Sequence, residues 1–74
     1  MELGMKRGDF VWIERDGQRE RAMVTLASEN GNSLMVMFDA MFHGYVGMMP
    51  LLREGGVYRD LFEGKTLKVE KIEE

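Results

Sequence analysis

The sequence predicts an all-β domain, a small barrel or sandwich made from a six-stranded antiparallel meander. Turn-forming clusters recur about every 9–14 residues: "RDGQ" (Arg15–Gln18), "ENGN" (Glu29–Asn32), "DAMFHG" (Asp39–Gly44), "EGG" (Glu54–Gly56) and "EGK" (Glu63–Lys65). The runs between them are rich in β-branched and aromatic residues, which suit a pleated, half-buried surface. No stretch carries a 3.6-residue apolar stripe of helical length. Short connections of this kind favour antiparallel neighbours.

Each run can be justified in chain order. Residues 9–14 alternate Phe10 and Trp12 with Val11 and Ile13, and the Asp-Gly of "RDGQ" is a strong hairpin signal. Residues 20–28, "ERAMVTLAS", and residues 33–38, "SLMVMF", form the next pair around Asn-Gly. Residues 45–52, "YVGMMPLL", hold Gly47 and Pro50, which mark a bent barrel corner or an edge strand, since proline donates nothing to a ladder. Residues 57–62, "VYRDLF", form the fifth run, although "YRDLFEG" also suits a single helical turn. Residues 66–72 alternate Leu67 and Val69 against Lys68 and Glu70 before the phase breaks at Lys71 and Ile72, as expected of a charged, self-protecting sheet edge. No linker, repeat or low-complexity tract divides the chain, so residues 1–74 form one domain.

Side chains of a strand alternate between faces. Placing Val11, Ile13, Ala22, Val24, Leu26, Leu34, Val36 and Phe38 inside leaves Phe10, Trp12, Met23, Thr25, Ala27, Met35 and Met37 outside. Only Thr25 of the outer set is polar. Both faces of three adjacent strands are therefore apolar, and a bare face of that size exceeds what soluble monomers usually expose. Either the second half of the chain folds over it as the other layer of a sandwich, or a second copy or another protein docks there. The candidate interface is Phe10, Trp12, Met23, Met35 and Met37, joined by Tyr45 and Met48 if the fourth run takes part. Trp12 favours an interface, because tryptophan is enriched in binding hot spots. Methionine is flexible and polarisable and can adapt to more than one partner.

Size and composition narrow the function classes. A chain of 74 residues buries only about 60% of its unfolded surface, so association is a natural source of added stability. Cysteine is absent, which excludes disulfides and thiolate metal sites. The single histidine, His43, has no companions for a zinc site, and no metal or cofactor is expected. Hydrophobic residues at 45% and charged residues at 31% describe a globular chain. No apolar run approaches the roughly 20 residues a bilayer requires, and "MELGMKRGDF" lacks the apolar centre of a secretory signal. These features, with many oxidisable methionines, place the protein in the cytoplasm. Either Met1 or Met5 could be the natural start.

Signals for chemistry are weak. His43 stands in a turn with no nucleophile or acid beside it, as a solvated loop histidine does. Asp60 with Glu63, and Asp9 with Glu14, are ordinary solvated carboxylates on this reading, and no catalytic residue is assigned. The basic cluster Arg15, Arg19 and Arg21, next to Phe10 and Trp12, resembles the cationic and stacking pair that small barrels use on single-stranded nucleic acid. Glu14, Asp16 and Glu20 interleave with it, however, and the whole chain carries −3. Nucleic acid is the second choice of partner, behind the chain itself or another protein. An enzyme whose site forms between copies, lined by His43 or Tyr45, ranks third.

"KRGDFVWIE" (Lys6–Glu14), in which Gly-Asp leads into alternating apolar residues, resembles the opening strand of SH3-like barrels, and the hairpin from "RAMVTLAS" to "SLMVMF" resembles the one after it. The resemblance covers the first half of the chain and implies a small barrel, without carrying over any functional residue. "SLMVMFDAMFHGYVGMMPLL" is similar to a stretch of small uncharacterised bacterial proteins, a likeness that implies no activity.

Overall fold

Asp16 and Gly17 both take a left-handed backbone, φ 52° and 84°, the conformation that a two-residue hairpin turn between twisted strands demands. That turn joins β1 (Phe10–Arg15) to β2 (Gln18–Ala27) in the computed structural model, which describes residues 5–73. The chain continues through β3 (Ser33–Phe38), β4 (Met48–Glu54), β5 (Val57–Asp60) and β6 (Thr66–Lys71). Gly55 and Gly56 repeat the left-handed pair between β4 and β5, with φ 62° and 88°. Every strand is antiparallel to its neighbours, and β6 returns to β1, closing a six-stranded barrel. Among the described residues there is no helix, and so none long and apolar enough to cross a membrane.

The interior comes from alternation. Val11, Ile13, Ala22, Val24, Leu34, Val36 and Phe38 are buried, joined by Phe42, Met49, Leu51, Tyr58 and Leu67. Leu26 departs from the expected inward set and is 61% exposed. The register shifts between Val24↔Val36 and Leu26↔Met35, leaving Thr25 without a partner across the ladder. This bulge reverses the phase of the last residues of β2, so Leu26 turns outward and Ala27 packs against the core. The Thr25 hydroxyl donates to the Met35 carbonyl at 3.1 Å and holds the bulge.

Four other expectations change. The two-layer sandwich is not formed, because the second half of the chain supplies the remaining barrel wall and leaves the outer face of β2 and β3 uncovered by it. The fourth strand starts at Met48, since Tyr45 lies in a separate tight hairpin with Phe42; each backbone N–H of that pair donates to the other's carbonyl, at 2.8 and 2.9 Å. The fifth strand ends at Asp60, where Gly64 N–H donates to the Asp60 carbonyl (2.9 Å), the single turn that "YRDLFEG" also allows. β6 is not a free edge along its β1 side, where it pairs from Glu14↔Lys68 to Val11↔Lys71. On the other side it meets β5 only at Tyr58↔Leu67 and Arg59↔Thr66.

Candidate functional site

Cross-strand register assembles the outer face from residues far apart in sequence. Phe10 lies opposite Met23, Met23 opposite Met37, and Met37 opposite Met48, a row running over four strands. A second row runs from Leu26 to Met35 to Pro50, and Leu61 joins it by donating its N–H to the Pro50 carbonyl at 3.1 Å. Side chains opposite each other in a sheet stand about 5 Å apart, so the rows form one continuous apolar surface. Leu26 (61%), Leu61 (56%), Met48 (54%) and Met37 (40%) are its most exposed members. Leu26, Met35, Pro50 and Leu61 also line a groove of about 400 Å³. No residue of either row is charged.

The rest of the expected interface separates from this surface. Phe10 sits at its margin, with the Arg21 guanidinium 4.5 Å from its ring centroid. Trp12 lies opposite Arg21 and Glu70, in the charged sector of β1 and β6, and Arg19 covers its ring at 4.3 Å. Aromatic rings capped by guanidinium groups have already found a partner for their faces. Tyr45 stands apart, stacked on Phe62 at 5.2 Å. Leu26, Pro50 and Leu61 are additions to the expected interface. The apolar "LF" after Asp60 is a visible signal for Leu61, whereas the bulge that exposes Leu26 leaves no mark in the sequence.

The three arginines do not share a face. Arg15 continues the inward phase of Val11 and Ile13, and its side chain is only 8% exposed. Its Nη1 lies 3.3 Å from an Asp60 oxygen, and Glu63 comes next at 3.5 Å. Arg21 donates to Asp39 at 3.0 Å. Of the three, Arg19 alone has no acidic partner among the described residues.

The end of the barrel near Arg15 holds most of the remaining polar groups, and they are spent on one another. Asp60 is wholly buried, contrary to the expectation of a solvated carboxylate, and accepts the Glu63 backbone N–H at 2.6 Å. Its carboxylate therefore closes its own turn and faces Arg15 across the barrel. His43 is half-buried and not free in solvent: Nε2 donates to the Arg15 carbonyl at 2.7 Å, and its ring meets Phe42 edge-on. His43 and Gly44 take left-handed φ of 50° and 86°, which lets the short loop turn under Arg15. Gln18 secures the same loop, accepting from His43 N–H at 3.3 Å and donating to the Met41 carbonyl at 3.2 Å. The Tyr45 phenol titrates above the ordinary tyrosine value, chiefly through desolvation and then through the adjacent Glu63 carboxylate. Among the described residues no three His, Asp or Glu side chains converge as metal ligands.

Fold and surface together define a class: a small closed β-barrel whose outer wall is apolar from Met23 across β3 and β4, with charges gathered on β6 and the β1–β2 hairpin. Comparison with known proteins finds no matching family model, curated protein or solved structure.

Proposed function

We propose that this protein is an interaction module, not an enzyme, and that it self-associates through the apolar face of β2, β3 and β4. The barrel is consistent at fold level with the SH3-like class, in which a small closed wall presents binding surfaces. One observation carries the reading: two uncharged rows, Phe10–Met23–Met37–Met48 and Leu26–Met35–Pro50–Leu61, lie side by side on the outer wall, with Leu26, Met37, Met48 and Leu61 exposed and the others half-buried. A second copy suits this face better than a charged partner. The chain carries −3, and here two copies meet without setting like charges opposite one another. Covering several hundred Å² of apolar surface contributes on the order of 10 kcal/mol before association costs of similar size. The nucleic-acid reading has less support, since Arg15 is buried and Arg21 is paired.

Sedimentation equilibrium from micromolar to millimolar protein tests the proposal, with Met48→Glu and Met37→Glu as variants. The wild type is expected to form a dimer and both variants to be monomeric. Their urea midpoints should stay near that of wild-type monomer, because both side chains point outward. A wild type that remains monomeric at millimolar concentration overturns self-association. Dimers indifferent to both substitutions overturn the choice of face.

A further inference from the structure

A different wall of the barrel carries an open backbone edge. Residues of an antiparallel strand direct their N–H and C=O groups alternately to one neighbour and the other. Ile72 N–H donates to the Phe10 carbonyl, so Lys68 and Glu70, in the same phase, address β1, while Leu67, Val69 and Lys71 address the β5 side. Leu67 meets Tyr58 there, but the β5–β6 ladder goes no further. Val69 and Lys71 therefore turn their backbone donors and acceptors toward a gap in the wall, with no strand opposite among the described residues. A cleft of about 790 Å³ occupies it, with the β4–β5 hairpin (Arg53, Gly56, Val57) on its far bank and Met5 at one end. Tyr58, Leu67 and Val69 give its floor apolar character.

We propose that this cleft is a strand-addition site, which takes an extended segment of a partner protein as an extra strand beside β6. Unpaired edge groups are a template for such pairing, with main-chain bonds supplying affinity and alternate side chains supplying selectivity. The edge is recessed behind the β4–β5 hairpin, so a lone extended segment enters more readily than the wall of a second folded barrel. Arg53 and Lys68 line the cleft and have no ion-pair partner among the described residues. The segment that fits best alternates apolar and polar residues without net charge, because Glu14 and Glu70 line the same cleft and offset these two cations. β6 and β3 stand on opposite walls of the barrel, so this site is independent of the apolar face.

The probe is a phage-displayed library of random heptapeptides, selected on the full chain, with the enriched peptides then synthesised. They should show the apolar–polar alternation and slow hydrogen exchange at the Val69 and Lys71 amides. N-methylation at the peptide positions that face β6 should weaken binding roughly tenfold while keeping every side chain. Val69→Pro should weaken binding similarly and leave the β1–β6 ladder whole, because Val69 addresses the cleft and not β1. A library that enriches nothing, binders indifferent to N-methylation, or protection confined to β3 and β4 would each overturn the proposal.

Discussion

Replacing Asp60 by alanine tests the charged element of the interior. The Asp60 carboxylate is wholly buried, lies 3.3 Å from Arg15 Nη1 and accepts the Glu63 N–H at 2.6 Å. Truncation removes the acceptor that closes the 60–64 turn and leaves a buried guanidinium with two poorer partners. These are Glu63 at 3.5 Å, which is partly solvated, and Asp16 at 3.8 Å. Breaking a buried pair from one side costs about 3–5 kcal/mol, and the nearby Glu63 moves the expectation to the lower end, about 3 kcal/mol. A domain of this size has only about 3–5 kcal/mol in hand, so Asp60→Ala should keep at most about 2 kcal/mol and unfold at a much lower urea concentration. Urea titration of the wild type and variant, monitored by Trp12 fluorescence, measures the difference. The double replacement Arg15→Met with Asp60→Leu should recover most of the loss, because both charges then leave the interior together. A single variant within about 1 kcal/mol of wild type, or a double variant no better than the single, would refute the assignment of a coupled buried pair.

Two more outcomes are expected of the interior. Phe42, fully buried and stacked on Phe38 at 4.8 Å, should cost about 3–5 kcal/mol as Phe42→Ala, measured as a lower urea midpoint; Met41→Ala next to it, an exposed position, should change little. Burial raises the Tyr58 phenol above its ordinary value, and its hydroxyl donates to the Gly31 carbonyl at 2.6 Å. The folded chain thus holds that proton more tightly than the unfolded chain, so the associated stability is complete below about pH 10 and falls as pH rises through the folded-state value. Tyr58→Phe should be less stable at neutral pH and show a shallower decline above pH 10 in pH-stepped urea titrations. Equal slopes in the two proteins would assign the decline to other groups.

Much of the architecture is legible because its signals are local. Asp16-Gly17 and Gly55-Gly56 announce hairpins through backbone preference alone, and Val11, Ile13, Val24 and Val36 show the inner face through alternation. Phe42 is not legible. It stands in "DAMFHG", which reads as a turn, yet the hairpin with Tyr45 swings it under Phe38. Asp60 is hidden for a related reason: a carboxylate in a turn is ordinarily solvated, and only the arrival of Arg15, 45 residues away in sequence, makes burial tolerable. The interface residues are half legible. The methionines of β2 and β3 are visible as an outward stripe, whereas Trp12 is drawn off by Arg19 from across the hairpin.

The sequence by itself determined that this chain forms six short strands, that they pair as an antiparallel meander, and that three of them are apolar on both sides. Those properties depend on turn chemistry and on the two-residue period of a strand, and both act over a few positions. Only the tertiary structure decided that the meander closes on itself, that a bulge at Thr25 turns Leu26 outward, and that Arg15 and Asp60 meet inside. Closure and bulges depend on register between strands, which is a property of pairs of segments. Where two rows of side chains come to lie side by side, and where the β5 side of β6 has no strand opposite among the described residues, is settled by that register.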